Sequence, residues 1–583
     1  MTTNKAAVNK PSKVFWTFAV VMLLYGLGVN HLWASEDRWA EISREILLTG
    51  DWFHPAINGE VYFDKPLLSY WLIVILAKTF GVLNEFVTRL PSALSALLAL
   101  YCTRYLGEKL WNAKIGNTAG WFLLGSMGFL FWGRTAAADM MNLTAVILAV
   151  SWFFYAKDRA KFRHYLLFWI ICFCGALTKG LPALVIPPLL IVIYLYMANE
   201  WKKHLNPAHI IALVTGCILY ASTFYIASAT PMPEGFSSPD SGLSGLQLVW
   251  RENVIRVFQP FDHNDEPFFA YLYHMQRIMA PWSLLMIAAV IAMAMRWKRL
   301  SLNTRWLLIA NAVIFLMFSF SGSRRWYYIL PIMPFTALLM AEYIAGGVKF
   351  RWRTLTAHFY CRITAALCIV GIAGIAILPV LQNLSPDLVP KNIQPYFNDF
   401  LSLPLIICWA LPLAALASLC VLATPRKRIY KYTGLPQRWG GTIVAGTILM
   451  AAGLVVVYPE AGQLRSEKTF ALELKEKLAG VAPENIVLYP KIHPKIIFYM
   501  ELESPVVVLG TPEELQDYMS QSVAPKYLIS ETRDRNLNDI ANVLPSLPIA
   551  KPDFQESRVL FEKSSARKLR CWRIVPDKEN KEK

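Results

Sequence analysis

The sequence predicts an α-helical polytopic membrane protein that carries a soluble α/β domain at its C-terminal end. Three observations predict this. Hydrophobic residues make up 55% of the 583 residues and charged residues only 17%, well below the quarter usual in soluble chains. Apolar stretches long enough for a bilayer recur from residue 14 to residue 458. The net charge of +17 is also unevenly placed: from Pro459 onward 19 Lys/Arg balance 19 Asp/Glu, so the whole excess lies among the apolar stretches. Basic loops between apolar spans mark membrane topology rather than a nucleic-acid surface. A soluble cytoplasmic enzyme, a disordered scaffold and a nucleic-acid partner are thereby excluded.

The first apolar stretch, Val14 to Trp33, follows Lys5, Lys10 and Lys13 and lacks a small-residue cleavage site, so it reads as a retained helix. Further spans are expected over 88–107, 115–134, 141–157, 165–182, 181–198, 209–229, 272–295, 306–322, 327–347, 363–382, 403–423 and 440–458. Leu67 to Val82 is the exception. If it crosses, the basic loops fall outside. If it does not, the inner segments hold 25 Lys/Arg against 13 in the outer loops, the tail excluded. The positive-inside rule therefore favours about thirteen crossings, with 67–82 interfacial or re-entrant and the tail outside. The expected organisation is a membrane domain over 1–458, a first outer loop with juxtamembrane helices over 34–87, a second large outer loop over 230–271, and a soluble domain over 459–583. Eight of the nine cysteines lie in the apolar part and no CxxC occurs, so buried thiols rather than a metal site are expected.

In the tail, Ser466 to Ala479 has helical periodicity and stops at Gly480. Asn485–Tyr489, Pro505–Leu509 and Lys526–Ser530 read as short buried strands. Thr511-Pro512-Glu513-Glu514 is a helix start: a cap, a proline at the first helical position, then acids on the positive end of the dipole. Alternating strands and helices predict a small α/β domain, and it contains no catalytic motif.

Chemistry is expected where so apolar a chain retains charge. The first outer loop carries Glu36, Asp37, Arg38, Glu41, Arg44, Glu45, Asp51, Asp64 and Lys65. Trp39, Ile42 and Ile46 recur at helical spacing, which predicts an amphipathic helix over 37–48. Glu41 and Glu45 can pair with Arg38 and Arg44 along it at the surface. Glu36 and Asp37 sit at the helix start, where capping and chemistry are both open. Lys65 either snorkels or meets an anionic head group. The other outward charges are Arg134, Asp139, Lys179, Arg251, Glu252, Arg256, Arg324 and Arg325, the last pair just before Trp326-Tyr327-Tyr328. All lie near the outer ends of spans. Cations in one such layer suit a lipid-borne phosphate, and acids suit a base or a hydroxyl-binding group.

The run DRWAEISREI…GDW…YFDKPLLSYWL…RLPSAL resembles the opening of the bacterial aminoarabinose transferases. Arg134–Asp139, LTKGLPALVIP around Lys179, ENVIRVF at 252–258, MAPW at 279–282 and YYILPIMP at 327–334 extend the resemblance to about residue 340. Such enzymes move 4-amino-4-deoxy-L-arabinose from undecaprenyl phosphate to lipid A, and with the protein O-mannosyltransferase-like enzymes they share the GT-C architecture. The resemblance implies a bacterial inner-membrane location with the active site and tail facing the periplasm. It implies that Lys65, within Tyr62-Phe63-Asp64-Lys65-Pro66, contacts the carrier phosphate. It implies that Asp139 is the loop acid, that Tyr328 is the tyrosine of Tyr-Ile-Leu-Pro, and that Glu252 and Arg256 are the acid and arginine of the second large loop. Two positions depart from the pattern. Ser35 stands where the family has the first acid of its opening pair, and Asn253 stands where a histidine usually follows the second-loop glutamate. The second departure removes a Glu-His pair, so a divalent metal is not indicated and no cofactor is assigned.

These readings predict an inverting glycosyltransferase taking a polyprenyl-phosphate-linked sugar donor in the membrane lipid, with lipid A or another glycan or protein acceptor. Glu36, Asp37 and Asp139 are its candidate catalytic acids. Of these, Glu36 and Asp139 are expected to border the sugar and Asp37 mainly to cap. Lys65, Arg256, Arg324, Arg325, Tyr62 and Tyr328 are expected around the donor phosphate, and Arg38, Asp64, Arg134, Lys179 and Glu252 nearby. A mannosyltransferase-like enzyme with a hydroxyl acceptor is the alternative. A transporter is disfavoured, because charges at span ends rather than the midplane and the lack of matching halves do not suit one.

Overall fold

The computed structural model describes residues 13–33, 35–63, 65–159, 161–237, 255, 266–347, 350, 352–382, 404–463, 467–521, 524–533, 554–555 and 567–574. Most of the second large loop, with Arg251, Glu252, Asn253 and Arg256, and also Asp64, lies outside the described residues.

The chain is a multi-pass helical bundle. Among the described residues seven helices are long and apolar enough to cross a membrane unaided, and a bent pair makes an eighth. That is fewer than the thirteen crossings expected, because several apolar stretches form short or broken helices. The stretch from Val14 keeps helix only over Lys13–Leu24. The stretch over 115–134 splits into Ala113–Leu124 and Met127–Trp132 at Gly125-Ser126. There the Met127 N–H leaves the helix ladder and bonds Ala280 O at 2.8 Å. The stretch over 272–295 becomes Ala270–Ile278 and Ser283–Met295, bent by 119°. Pro281, which lacks an N–H, sits in that break. Phe162–Thr178, Pro182–Met197 and Leu330–Ala345 are likewise short apolar helices. Packed inside a bundle, such segments are held by neighbours rather than by their own length. Trp121, Trp282 and Trp306 fill its interior.

Leu68–Phe80 has 13 residues. At 1.5 Å per residue this is about 20 Å, short of a hydrocarbon core. It packs beside Glu36–Thr49 and Glu85–Leu110, as a juxtamembrane helix does. Glu85–Leu110 begins at Asn84, whose Oδ1 accepts from Val87 N at 3.0 Å.

The tail folds on a five-stranded sheet. In spatial order its strands are Val507–Val508, Ile486–Tyr489, Lys526–Arg533, Arg567–Ile574 and Phe554–Gln555. The first three are parallel and the last two antiparallel. Glu467–Lys477 and Pro512–Ser520 form where capping and periodicity predict, and Thr511 and Glu514 complete a reciprocal capping box. The Arg567–Ile574 strand was not anticipated, because its alternating basic residues hide a buried Leu569, Cys571, Ile574 set. The short helix Pro494–Met500 was also missed. It seats the tail on the membrane domain.

That seating changes the meaning of Glu36–Thr49. Trp39, Ile42 and Ile46 pack inward as expected. The opposite flank is not a solvated face, because Ala40 joins Phe470, Ile496, Ile497 and Met500 of the tail in one core. Glu41 is fully buried, chelated by Arg44 at 2.7 and 2.8 Å. Glu45 is buried too, accepting from the Asn58 and Gly59 amides. A surface role for these acids is therefore corrected: the tail covers them. Burial, and next the Glu41 charge, raise the Glu45 carboxyl to about 7. A folded value above the unfolded one makes this site oppose stability as pH rises from about 4.5 to 7. Glu45→Gln, which keeps an acceptor for both amides, is expected to raise the unfolding midpoint at pH 8 and leave it unchanged at about pH 4, below the unfolded value.

Candidate functional site

Two amide–carbonyl pairs lock the tail to the first loop: Asn58 Nδ2 donates to Val506 O and Val506 N to Asn58 Oδ1, both at 2.8 Å. Gly59, at φ +73, allows this approach, since a Cβ there would lie 2.9 Å from Pro505. Glu85 accepts from Lys468 at 2.5 Å and from the Tyr499 hydroxyl at 3.0 Å, and that hydroxyl accepts from Leu32 N at 2.9 Å. The hairpin Ala56–Ile57/Glu60–Val61 also takes Ser237, the described edge of the second loop, as a bridge partner of Glu60.

Between these contacts lies a cavity of about 450 Å³. Ser35, Asp37, Arg38, Ile57, Glu60 and Tyr62 line it from the first loop, and Ile492 and Pro494 from the tail. No local residue pattern signals that the tail forms one of its walls. Arg38 Nη1 donates to the Tyr62 hydroxyl at 2.6 Å. Asp37 accepts from Arg38 N at 2.8 Å. Burial raises its carboxyl to about 6, against the lowering effect of Lys495, the Arg38 amide and the Arg38 charge.

Glu36 sits elsewhere. It is 0% exposed. Arg89 meets both of its oxygens, at 2.9 and 2.7 Å, and Ala136 N donates at 2.7 Å. The remaining Arg89 N–H groups go to Leu27 O, Asn30 O and His31 O. Glu36 is thus the hub tying the end of the first span to Glu85–Leu110 and to the turn before Ala138–Ala156. Arg89, inside RLPSAL, was not singled out in the sequence, because a lone arginine in a span reads as an end anchor.

Several predicted residues do converge. Asp139, in the first turn of Ala138–Ala156, pairs with Lys179, which follows Phe162–Thr178. The Lys179 ammonium lies 4.5 Å from the Tyr328 ring and 5.4 Å from the Tyr327 ring. The charges of Lys65 and Arg325 act on it, and Arg325 Nη1 donates to the Tyr327 hydroxyl at 3.1 Å. Three cations, one carboxylate and two tyrosines from four chain segments thus form one cluster at the helix ends. Arg324 turns away, to Ser319 O at 3.0 Å and to Glu266 O. Arg134 turns inward to Met22 O at 2.9 Å and lines a separate cavity. No group of three or more metal-ligating side chains occurs among the described residues.

The comparisons with known proteins bear on this arrangement. Residues 64–226 match the family described as dolichyl-phosphate-mannose-protein mannosyltransferase. An undecaprenyl phosphate-alpha-4-amino-4-deoxy-L-arabinose arabinosyl transferase of Shewanella sediminis is 27% identical over 375 residues, 61% of this chain and 65% of that protein. The match thus spans just under two thirds of that relative's length. The enzyme of the same name from Pseudomonas paraeruginosa is 26% identical over 80% of both chains. The fold is that of Cupriavidus metallidurans ArnT bound to undecaprenyl phosphate: TM-score 0.68, covering 96% of this chain and 97% of that one, at 19% identity. In sequence this chain is similar to these aminoarabinose transferases, and its fold is ArnT-like.

Proposed function

We propose that the chain is an inverting glycosyltransferase that moves an aminoarabinose-type sugar from a polyprenyl-phosphate donor to lipid A, at the periplasmic face of a bacterial inner membrane. The observation that carries this reading is the cluster of Lys65, Lys179 and Arg325 against Tyr327 and Tyr328. The donor phosphate binds the cluster's cations. As the acceptor oxygen attacks the anomeric carbon, the bond from that carbon to the phosphate oxygen breaks, and charge builds on the leaving polyprenyl phosphate. Fixed cations stabilise that charge more than they stabilise the bound donor. Asp139 keeps Lys179 ionised and aimed. The membrane-embedded helices below the cluster accommodate the polyprenyl chain.

Asp37, rather than Glu36, is the acid we assign to the reacting sugar. Glu36 is enclosed by Arg89, whereas Asp37 faces the cavity beside Ser35, the position of the family's missing first acid. A hydroxyl acceptor needs a base there. A phosphate acceptor is already ionised, and Asp37 then holds the sugar. The match over 64–226 to a mannosyltransferase family supports a hydroxyl acceptor as a second reading. Transfer of radiolabelled sugar from a polyprenyl-phosphate donor, with mass spectrometry of lipid A from cells with and without the gene, separates the two. Lipid A that gains no pentosamine while another acceptor is labelled overturns the first.

Lys65→Ala is expected to cost roughly 1.5–3 kcal/mol of donor interaction, a ten- to hundredfold loss of activity with expression retained. Near wild-type turnover returns Lys65 to snorkelling. For orientation, Val82→Cys and Glu503→Cys, at exposed positions in a background lacking other reactive thiols, are expected to label from the periplasm. Labelling of Val82→Cys only from the cytoplasm reverses the parity.

A further inference from the structure

We infer that Arg134 holds a monatomic anion in a buried site of its own, independent of the proposed transfer reaction. Arg134 is only 9% exposed. Its one hydrogen bond among the described residues runs from Nη1 to Met22 O at 2.9 Å. No described carboxylate pairs with it, and the charge acting on it is the like charge of Arg89.

The contrast with Arg89 is instructive. Both guanidinium groups line the same cavity, with Asn30, Trp33, Thr135 and Tyr458. Arg89 has every N–H engaged and its charge cancelled by Glu36. Arg134 has neither. An isolated buried charge is strongly unfavourable unless a counter-charge joins it. Glu36 cannot serve both, since its oxygens are taken by Arg89, Ala136 N and Trp33 N.

Size selects the occupant. The cavity has a volume of about 20 Å³, room for one water-sized particle. A chloride, little larger than a water, fits that space. Asn30, 6% exposed, also lines the cavity. The anion would then tie the end of Lys13–Leu24, through Arg134, to the corner that leads to Asp139.

Thermal unfolding of the purified full-length protein in detergent tests this. Sodium chloride or bromide is compared with sodium gluconate at constant ionic strength. Halide is expected to raise the midpoint by several degrees in the wild type and to have no such effect in Arg134→Met. Equal midpoints in halide and gluconate, or an undiminished halide shift in Arg134→Met, overturn the site and leave a water in its place. If Arg134→Met does not fold, anomalous scattering from wild-type crystals grown in bromide decides: a peak beside Arg134 supports the proposal, and its absence refutes it.

Discussion

Asp37→Asn is expected to lower sugar transfer by roughly two to four powers of ten if the carboxylate accepts the acceptor's proton, with the protein still folded. The substitution removes a base and keeps the shape. Its side-chain oxygen can still accept from Arg38 N, as Asp37 does at 2.8 Å. The wild-type pH profile supplies a second readout. Burial holds the Asp37 carboxyl at about 6. The reactive form is the carboxylate, so activity is present above that value and is lost as pH falls through it. In Asp37→Asn the residual activity is expected to lack this acidic limb. Asp139→Asn separates the roles: it strips Lys179 of its partner and is expected to weaken donor binding while leaving the limb in place. An Asp37→Asn enzyme with full turnover and an intact limb would remove Asp37 from the chemistry.

Glu36→Ala has the largest expected effect on stability. It leaves the Arg89 guanidinium buried without its counter-charge. Breaking one partner of a buried pair costs about 3–5 kcal/mol, enough to unfold many domains. Glu36→Gln keeps the shape and one oxygen that can accept from Arg89 Nε and Ala136 N, so it is expected to be milder. Thermal unfolding and detergent-stable yield measure both. If Glu36→Ala instead folds like the wild type but transfers no sugar, Glu36 belongs with the reacting groups and the assignment of Asp37 fails.

Each prediction turns on a distinction between neighbouring residues that one-dimensional reasoning could not make. Glu36 and Asp37 are adjacent acids at one helix start, and local sequence offered capping or chemistry for both. The helix twist points them to different surroundings, one to Arg89 and the other to the cavity. Glu41 and Glu45 looked like surface partners of the arginines along the same helix. They are interior because the helix Pro494–Met500, hundreds of residues later in the chain, lies over them.

By itself the sequence determined the solvent of each part of the chain. Apolar composition and period are local properties, and they suffice to predict a helical membrane bundle followed by a smaller polar α/β unit. Capping and turn chemistry are local too, which is why Asn84, Gly50 and the Thr511–Glu514 box terminate helices where residue type predicts. The order of charges along the chain also put Lys65, Asp139, Lys179 and Arg325 at span ends. Only the tertiary structure decided which of them meet. It gathered those residues around Tyr327 and Tyr328, and it sent Arg324 to backbone carbonyls and Arg134 into a separate cavity. It likewise broke apolar stretches into short helices at Gly125 and Pro281. The reason is the range of the interactions. Hydrophobicity and capping are decided within a few residues, whereas the partner of a buried charge is decided by which helices pack together.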